Sequence, residues 1–149
     1  MSSNNLGSEI KGEEYLVLHE FAKKAKEKLP KETWDYLIGA AETETTFKRN
    51  RFALDSLAFR PRVLRDVENV NLSSKLFGHE LRIPVILAPI GSMQDFVEGA
   101  GEAPTKAASD FGVMHMISST CMPGFEQVAK SVNYPKLFQL YVRGDQDLS

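Results

Sequence analysis

Cysteine is almost missing from this sequence: Cys121 stands alone. One thiol cannot close an intrachain disulfide, so a disulfide scaffold is excluded. Long hydrophobic runs are missing as well. No stretch approaches the roughly 18 apolar residues of a membrane span, and no membrane span is expected. The first residues, Met1 to Glu9, carry neither a basic start nor an apolar run. That is not the pattern of a signal peptide, and a cytoplasmic location is the expectation. Charge of one sign is not in excess. Lys and Arg number 18 against 20 Asp and Glu, for a formal net charge of -2, and no basic stripe stands out. Nucleic acid is therefore not an expected partner. No Gly-x-Gly-x-x-Gly fingerprint of a dinucleotide fold occurs. The three histidines, His19, His79 and His115, form no cluster of metal-ligand spacing with Cys121 or the carboxylates, so no metal site is expected. Cys121 has no neighbouring base in sequence and is not read as a nucleophile.

What is present is ordinary for a globular chain. The 149 residues are 42% hydrophobic and 26% charged, enough for one domain with a real core. Residues 1–12 are polar and read as a disordered tail. Residues 13–83 read as a helical extension followed by short strands. Leu18, Phe21, Ala22, Ala25 and Leu29 share one helix face. Pro30 suits the first turn of a second helix, whose apolar residues are Trp34, Leu37, Ile38 and Ala41. A third helix is expected from about Thr45 to Leu54, with Asn50 and Arg51 anchoring it through a polar partner. Arg60-Pro61-Arg62 is extended. Leu76 to Leu81 reads as two short strands joined at Gly78.

Residues 84–149 alternate. Pro84 to Pro89 is a short apolar run that suits a strand buried on both faces. A helix over Ala103–Phe111 has Pro104 at its start and Gly112 just past its end. Val113 to Ile117 is a second strand and Phe125, Val128 and Ala129 mark a short helix. Lys136 to Val142 is a third strand, and Asp145 to Ser149 could begin another helix. The strand spacing is near the roughly 30 residues of a β-α-β unit. The fold class is α/β with parallel strands, which a barrel would set in sequential order and an open wound sheet would interleave. The pattern alone does not choose between an open wound sheet and a closed barrel.

Three segments make that choice by similarity. One runs from Trp34-Asp35-Tyr36-Leu37 through Ala41-Glu42 and Asn50-Arg51 to Phe59-Arg60-Pro61-Arg62-Val63-Leu64. Another is Pro84-Val85-Ile86-Leu87-Ala88-Pro89-Ile90-Gly91. The last is Ser118-Ser119 followed by Phe138-Gln139-Leu140-Tyr141. In that order and spacing the chain resembles the FMN-dependent 2-hydroxy acid dehydrogenases and oxidases, the glycolate oxidase, lactate oxidase and flavocytochrome b2 type. The resemblance covers roughly residue 15 to the last residue. It implies a TIM barrel carrying FMN at the C-terminal ends of its strands. This chain would supply a partial barrel, the first three βα-type strands, behind an N-terminal helical extension. The implied reaction oxidises a small 2-hydroxy acid to a 2-keto acid, with FMN taking two electrons.

The same resemblance assigns the site residues. Ala88, Pro89, Ile90 and Gly91 would offer backbone to the flavin, and Ser118 would hydrogen-bond its ring. Gln139 would bond the polar ring edge. Tyr141 would lie at both cofactor and substrate, and Tyr36 would reach the substrate carboxylate. Read without the family, Gln139 and Tyr141 are equally the polar face of an edge strand, and Pro89-x-Gly91 is simply a turn. The loops Ser92 to Glu102 and Thr120 to Gly124 depart from the better-known oxidases, which leaves the substrate's side chain open. No catalytic residue is expected within this chain: the family's catalytic histidine, substrate-binding arginines, flavin-facing lysine and phosphate loops have no counterparts here. The expectation is a truncated product, a fragment or a piece of a split protein, inactive alone, in a homo-oligomer or with a complementing chain. The rival reading is a non-catalytic interaction module derived from the same barrel.

Overall fold

In the computed structural model, residues 15–142 and residue 144 are described. The expected tail at 1–12 and the expected helix at 145–149 lie outside them. Contacts divide the chain into two compact units, Met1–Ala53 and Leu54–Ser149.

The first unit is helical. Helix α1 covers Leu18–Lys28 and begins where the Glu20 carboxylate accepts the free Leu16 N–H at 2.7 Å. Lys26 and Lys28 in its last turn complement the helix dipole. Helix α2 covers Lys31–Ile38. Pro30 stands just before it and lends its carbonyl to the Trp34 N–H at 2.9 Å. Helix α3 covers Thr45–Asp55. None of the three contains a buried residue. The apolar face expected on α1 is thus not a core: Leu18 and Phe21 are exposed, and Tyr15 stacks on Phe21 with ring centroids 4.2 Å apart. Three helices of 11, 8 and 11 residues offer too little apolar surface for a core of their own. Asn50 and Arg51, expected to anchor α3 through a polar partner, are exposed.

The second unit carries two sheets. Strands β1 (Ser74–Leu76) and β2 (His79–Leu81) form an antiparallel hairpin. Its two turn residues, Phe77 at φ 49° and Gly78 at φ 80°, both have positive φ, as a tight two-residue hairpin turn requires. Strands β3 (Ile86–Leu87), β4 (Met114–Ser118) and β5 (Leu137–Gln139) form a parallel sheet in the order β3-β4-β5. The sequential order is the one expected.

Helices cover one face of this sheet. In α4 (Glu102–Phe111), Thr105 and Ala108 are buried, and Thr105 meets His115 of β4. In α5 (Phe125–Ser131), Val128 is buried and Phe125 packs on Phe138 of β5 with centroids 5.0 Å apart. His115, Ile117 and Phe138 therefore point to the helices. Met114, Met116, Ser118, Leu137 and Gln139 alternate to the other face. The core gathers around β4: Met114, Ile117 and Val128 are its most enclosed large side chains.

Two strand expectations need correction. The first strand is not buried on both faces: Ile86 is half-buried and Leu87 exposed. Among the described residues it pairs on one side only, with β4, whereas β4 lies between two neighbours and is buried along almost its whole length. The third strand ends at Gln139 rather than Val142, because its partner β4 ends at the paired Ser118. Tyr141 lies beyond the strand.

Candidate functional site

The C-terminal ends of β3, β4 and β5 are tied together by loop hydrogen bonds. The Ser92 N–H donates to the Thr120 carbonyl at 3.2 Å, and the Ser119 N–H to the Gln139 carbonyl at 3.1 Å. Where the β4–β5 ladder stops, the Ser119 hydroxyl accepts the Tyr141 N–H at 3.3 Å. Gln94, in a 3₁₀ turn at Met93–Asp95, accepts the Met122 N–H at 3.0 Å. The loop after β4 is thus clamped to the loops after β3 and β5.

The side chains at these ends are polar. Ser118 is buried, and its hydroxyl lies 3.0 Å from that of Thr120. The Gln139 amide donates to the Tyr141 hydroxyl at 3.4 Å, so these two side chains meet although Tyr141 is not in the strand. The Gln139 Oε1 atom is buried and has no hydrogen-bond partner among the described residues. Such an acceptor is costly unless a donor reaches it. Gly91 lies under the same loop: a Cβ there would come within 2.4 Å of the Thr120 hydroxyl oxygen. A side chain at position 91 would require the Thr120 hydroxyl to move.

Of the residues expected at the site, Gly91, Ser118, Gln139 and Tyr141 gather at these strand ends. Ala88, Pro89 and Ile90 form the stretch between β3 and Gly91, with Ala88 and Ile90 exposed. Tyr36 lies on α2 of the first unit and is 73% exposed. Thr120 and Ser119 were missed. Their signal was a run of three hydroxyl residues, Ser118-Ser119-Thr120, directly after an apolar strand.

The buried titratable groups lie outside this cluster. The Thr105 hydroxyl donates its one proton to the Gly101 carbonyl at 2.7 Å. At 2.8 Å from His115 Nδ1 it must then accept, so Nδ1 carries the ring proton. Burial holds the His115 pKa below its ordinary value. Burial likewise raises the Cys121 thiol, partly offset by backbone hydrogen bonds from Met93 and Gly101. At the opposite end of the sheet a cavity of 260 Å³ is lined by Phe77, His79, Met114, Pro135, Lys136 and Leu137. There the Lys136 ammonium donates to the Val132 and Tyr134 carbonyls, and burial lowers its pKa. No helix of the described residues is long and apolar enough to cross a membrane.

The donors and acceptors at the strand ends fit the polar edge of a flavin ring, which offers an N–H to an orphaned carbonyl oxygen and acceptors to hydroxyls. Comparison with known proteins points the same way. A family model described as FMN-dependent dehydrogenase matches residues 25–149. Glycolate oxidase 3 of Oryza sativa subsp. indica is 36% identical over 130 residues, covering 87% of this chain and 35% of that protein. A soluble mutant of the (S)-mandelate dehydrogenase from Pseudomonas putida superposes with a TM-score of 0.78 at 30% identity, over 83% of this chain and 36% of the other. A mandelate oxidase solved with an FMN adduct superposes with a TM-score of 0.77 at 30% identity, over 82% and 37%. The chain spans about a third of the length of these relatives.

Proposed function

The chain belongs to the FMN-dependent dehydrogenase family, and on that premise we propose that it forms part of an enzyme that oxidises a small 2-hydroxy acid to a 2-keto acid. FMN is the family's cofactor. When bound it supplies the two-electron acceptor. The observation that carries the reading is the buried, unpartnered Gln139 Oε1 beside the Ser118 and Thr120 hydroxyls and the Gly91 approach. Gln139 and Ser118 would hold the ring edge, and the 88–91 backbone would lie against the ring. Tyr141 would donate its phenol proton toward the substrate carboxylate. The names of the relatives, glycolate oxidase and mandelate dehydrogenase, support a 2-hydroxy acid substrate. The partial TIM barrel is proposed on the same footing, supported by the sequential parallel strands and the site at their C-terminal ends. So are the cytoplasmic location and association with a second copy or a complementing chain. The exposed Phe138, Leu140 and Val142 near β5 support the association.

We further propose that these 149 residues do not turn over substrate by themselves. The site contains alcohols, an amide and a phenol. Among the described residues of the site there is no histidine or carboxylate, the usual groups for proton abstraction, and a positioned base typically contributes about 10²–10⁴-fold. Among the described residues of the site there is also no lysine or arginine to pair with the FMN phosphate. The test is to add FMN to the purified chain and follow flavin reduction anaerobically with glycolate, lactate and mandelate. Weak flavin binding without reduction is expected. Steady reduction by any of the three, with contaminating enzyme excluded, overturns the proposal.

A further inference from the structure

Thr120 sits where a side chain on Gly91 would have to go, and its hydroxyl is joined to that of Ser118. The Thr120 N–H also donates to Ser118 Oγ at 3.3 Å, which occupies one lone pair of that oxygen. Between the two hydroxyls, 3.0 Å apart, one proton is shared. Two hydroxyls own two protons, so one O–H is left over. Among the described residues no acceptor takes it. If Ser118 donates to Thr120, the spare O–H belongs to Thr120; if the bond runs the other way, it belongs to Ser118. Either way the pair offers a single donor at the ends of β3 and β4, in the cluster that holds the orphaned Gln139 acceptor.

We propose that Ser118 and Thr120 act as one coupled hydroxyl pair that presents this donor to an acceptor on the flavin ring edge, with Thr120 as a further cofactor-binding residue. The inference rests on the proposed function above. It adds that the Ser118 contribution depends on Thr120. A lone Ser118 hydroxyl, capped by the Thr120 N–H, would be free to rotate its proton away from the ligand. The paired hydroxyl confines it to two arrangements, both of which leave one donor. A methyl on Gly91 would meet the Thr120 hydroxyl oxygen at 2.4 Å and would have to displace it from Ser118.

The experiment is a double-mutant cycle read by quenching of FMN fluorescence, on the chain and its Thr120→Val, Thr120→Ser, Ser118→Ala and Ser118→Ala/Thr120→Val variants. Thermal melts and circular dichroism verify that each variant is folded. Thr120→Val is expected to weaken FMN about three- to tenfold, the range of one neutral hydrogen bond. Thr120→Ser keeps the hydroxyl and should bind as the parent does. The double variant should lose no more than Ser118→Ala alone, because the two hydroxyls act as a unit. If Thr120→Val binds like the parent, or if Thr120→Ser is as weak as Thr120→Val, the coupled pair is wrong while the flavin site stands. If the parent chain does not quench FMN even at millimolar concentration, the flavin site and the coupled pair both fall.

Discussion

At the scale of single residues, the polar groups divide into those that stabilise the fold and those left for a ligand. His115 is of the first kind. Its ring is neutral in the folded chain, with Nδ1–H given to Thr105, and burial depresses its pKa. In the unfolded chain it titrates near the ordinary value of about 6.5. Above that value both states are neutral and stability does not depend on this group. Below it the unfolded chain binds a proton that the folded chain refuses, so stability falls until the folded pKa is passed. Melting temperature should therefore drop as pH goes from 7 to 5, and His115→Gln should flatten that slope. An unchanged slope in the variant would show that other groups set it. Gln139 is of the second kind. Its unpartnered Oε1 costs about 1–3 kcal/mol in the ligand-free chain. Gln139→Met should raise stability by about 1 kcal/mol in urea unfolding. The same variant should weaken FMN about tenfold in fluorescence titration. Loss of stability instead would mean that the amide serves the fold. From sequence, Gln139 and Ser118 were legible as candidate site residues only through the family resemblance, since a polar residue on a strand fits an exposed edge equally well. Thr120 stayed hidden because its proposed role depends on how closely two loops approach, and spacing along the chain does not encode that distance.

At the scale of elements, helix α4 was read closely because its ends are written in the chain. Pro104 falls in the first turn. Gly112 takes φ 91°, donating to the Ser109 carbonyl at 3.2 Å and the Ala108 carbonyl at 2.9 Å, and the Val113 N–H also reaches Ala108 at 2.9 Å. Those bonds close the helix in a Schellman turn. Gly112→Ala should cost about 1–2 kcal/mol, because an L side chain resists the left-handed region. Its methyl would also meet the Arg82 Cβ at 3.3 Å. Chemical denaturation tests this, and a neutral result would mean that the turn relaxes. Strand ends were read less well. The apolar letters Leu140 and Val142 extend the pattern of β5, yet a strand lasts only as long as its partner. Here β4 stops at Ser118, and the Ser119 side chain takes the next N–H. Which strand is buried on both faces was likewise invisible, because Ile86-Leu87 and Ile117 look alike until the sheet order puts β4 in the centre.

At the scale of the whole molecule, the order of strands and helices was legible, and it positions the site. Parallel strands joined through helices bring their C-terminal ends to one side, where Gly91, Ser118, Thr120, Gln139 and Tyr141 meet. The central claim is that FMN docks at that end of the sheet. The most direct measurement is a residue-resolved one: amide shifts of the isotope-labelled chain recorded during an FMN titration. The account predicts saturable shifts at Gly91, Ser118 to Thr120 and Gln139 to Tyr141, with Phe77, His79 and Lys136 at the far end unmoved. Shifts centred on that far-end cavity, or none at the strand ends at saturating FMN, would contradict it.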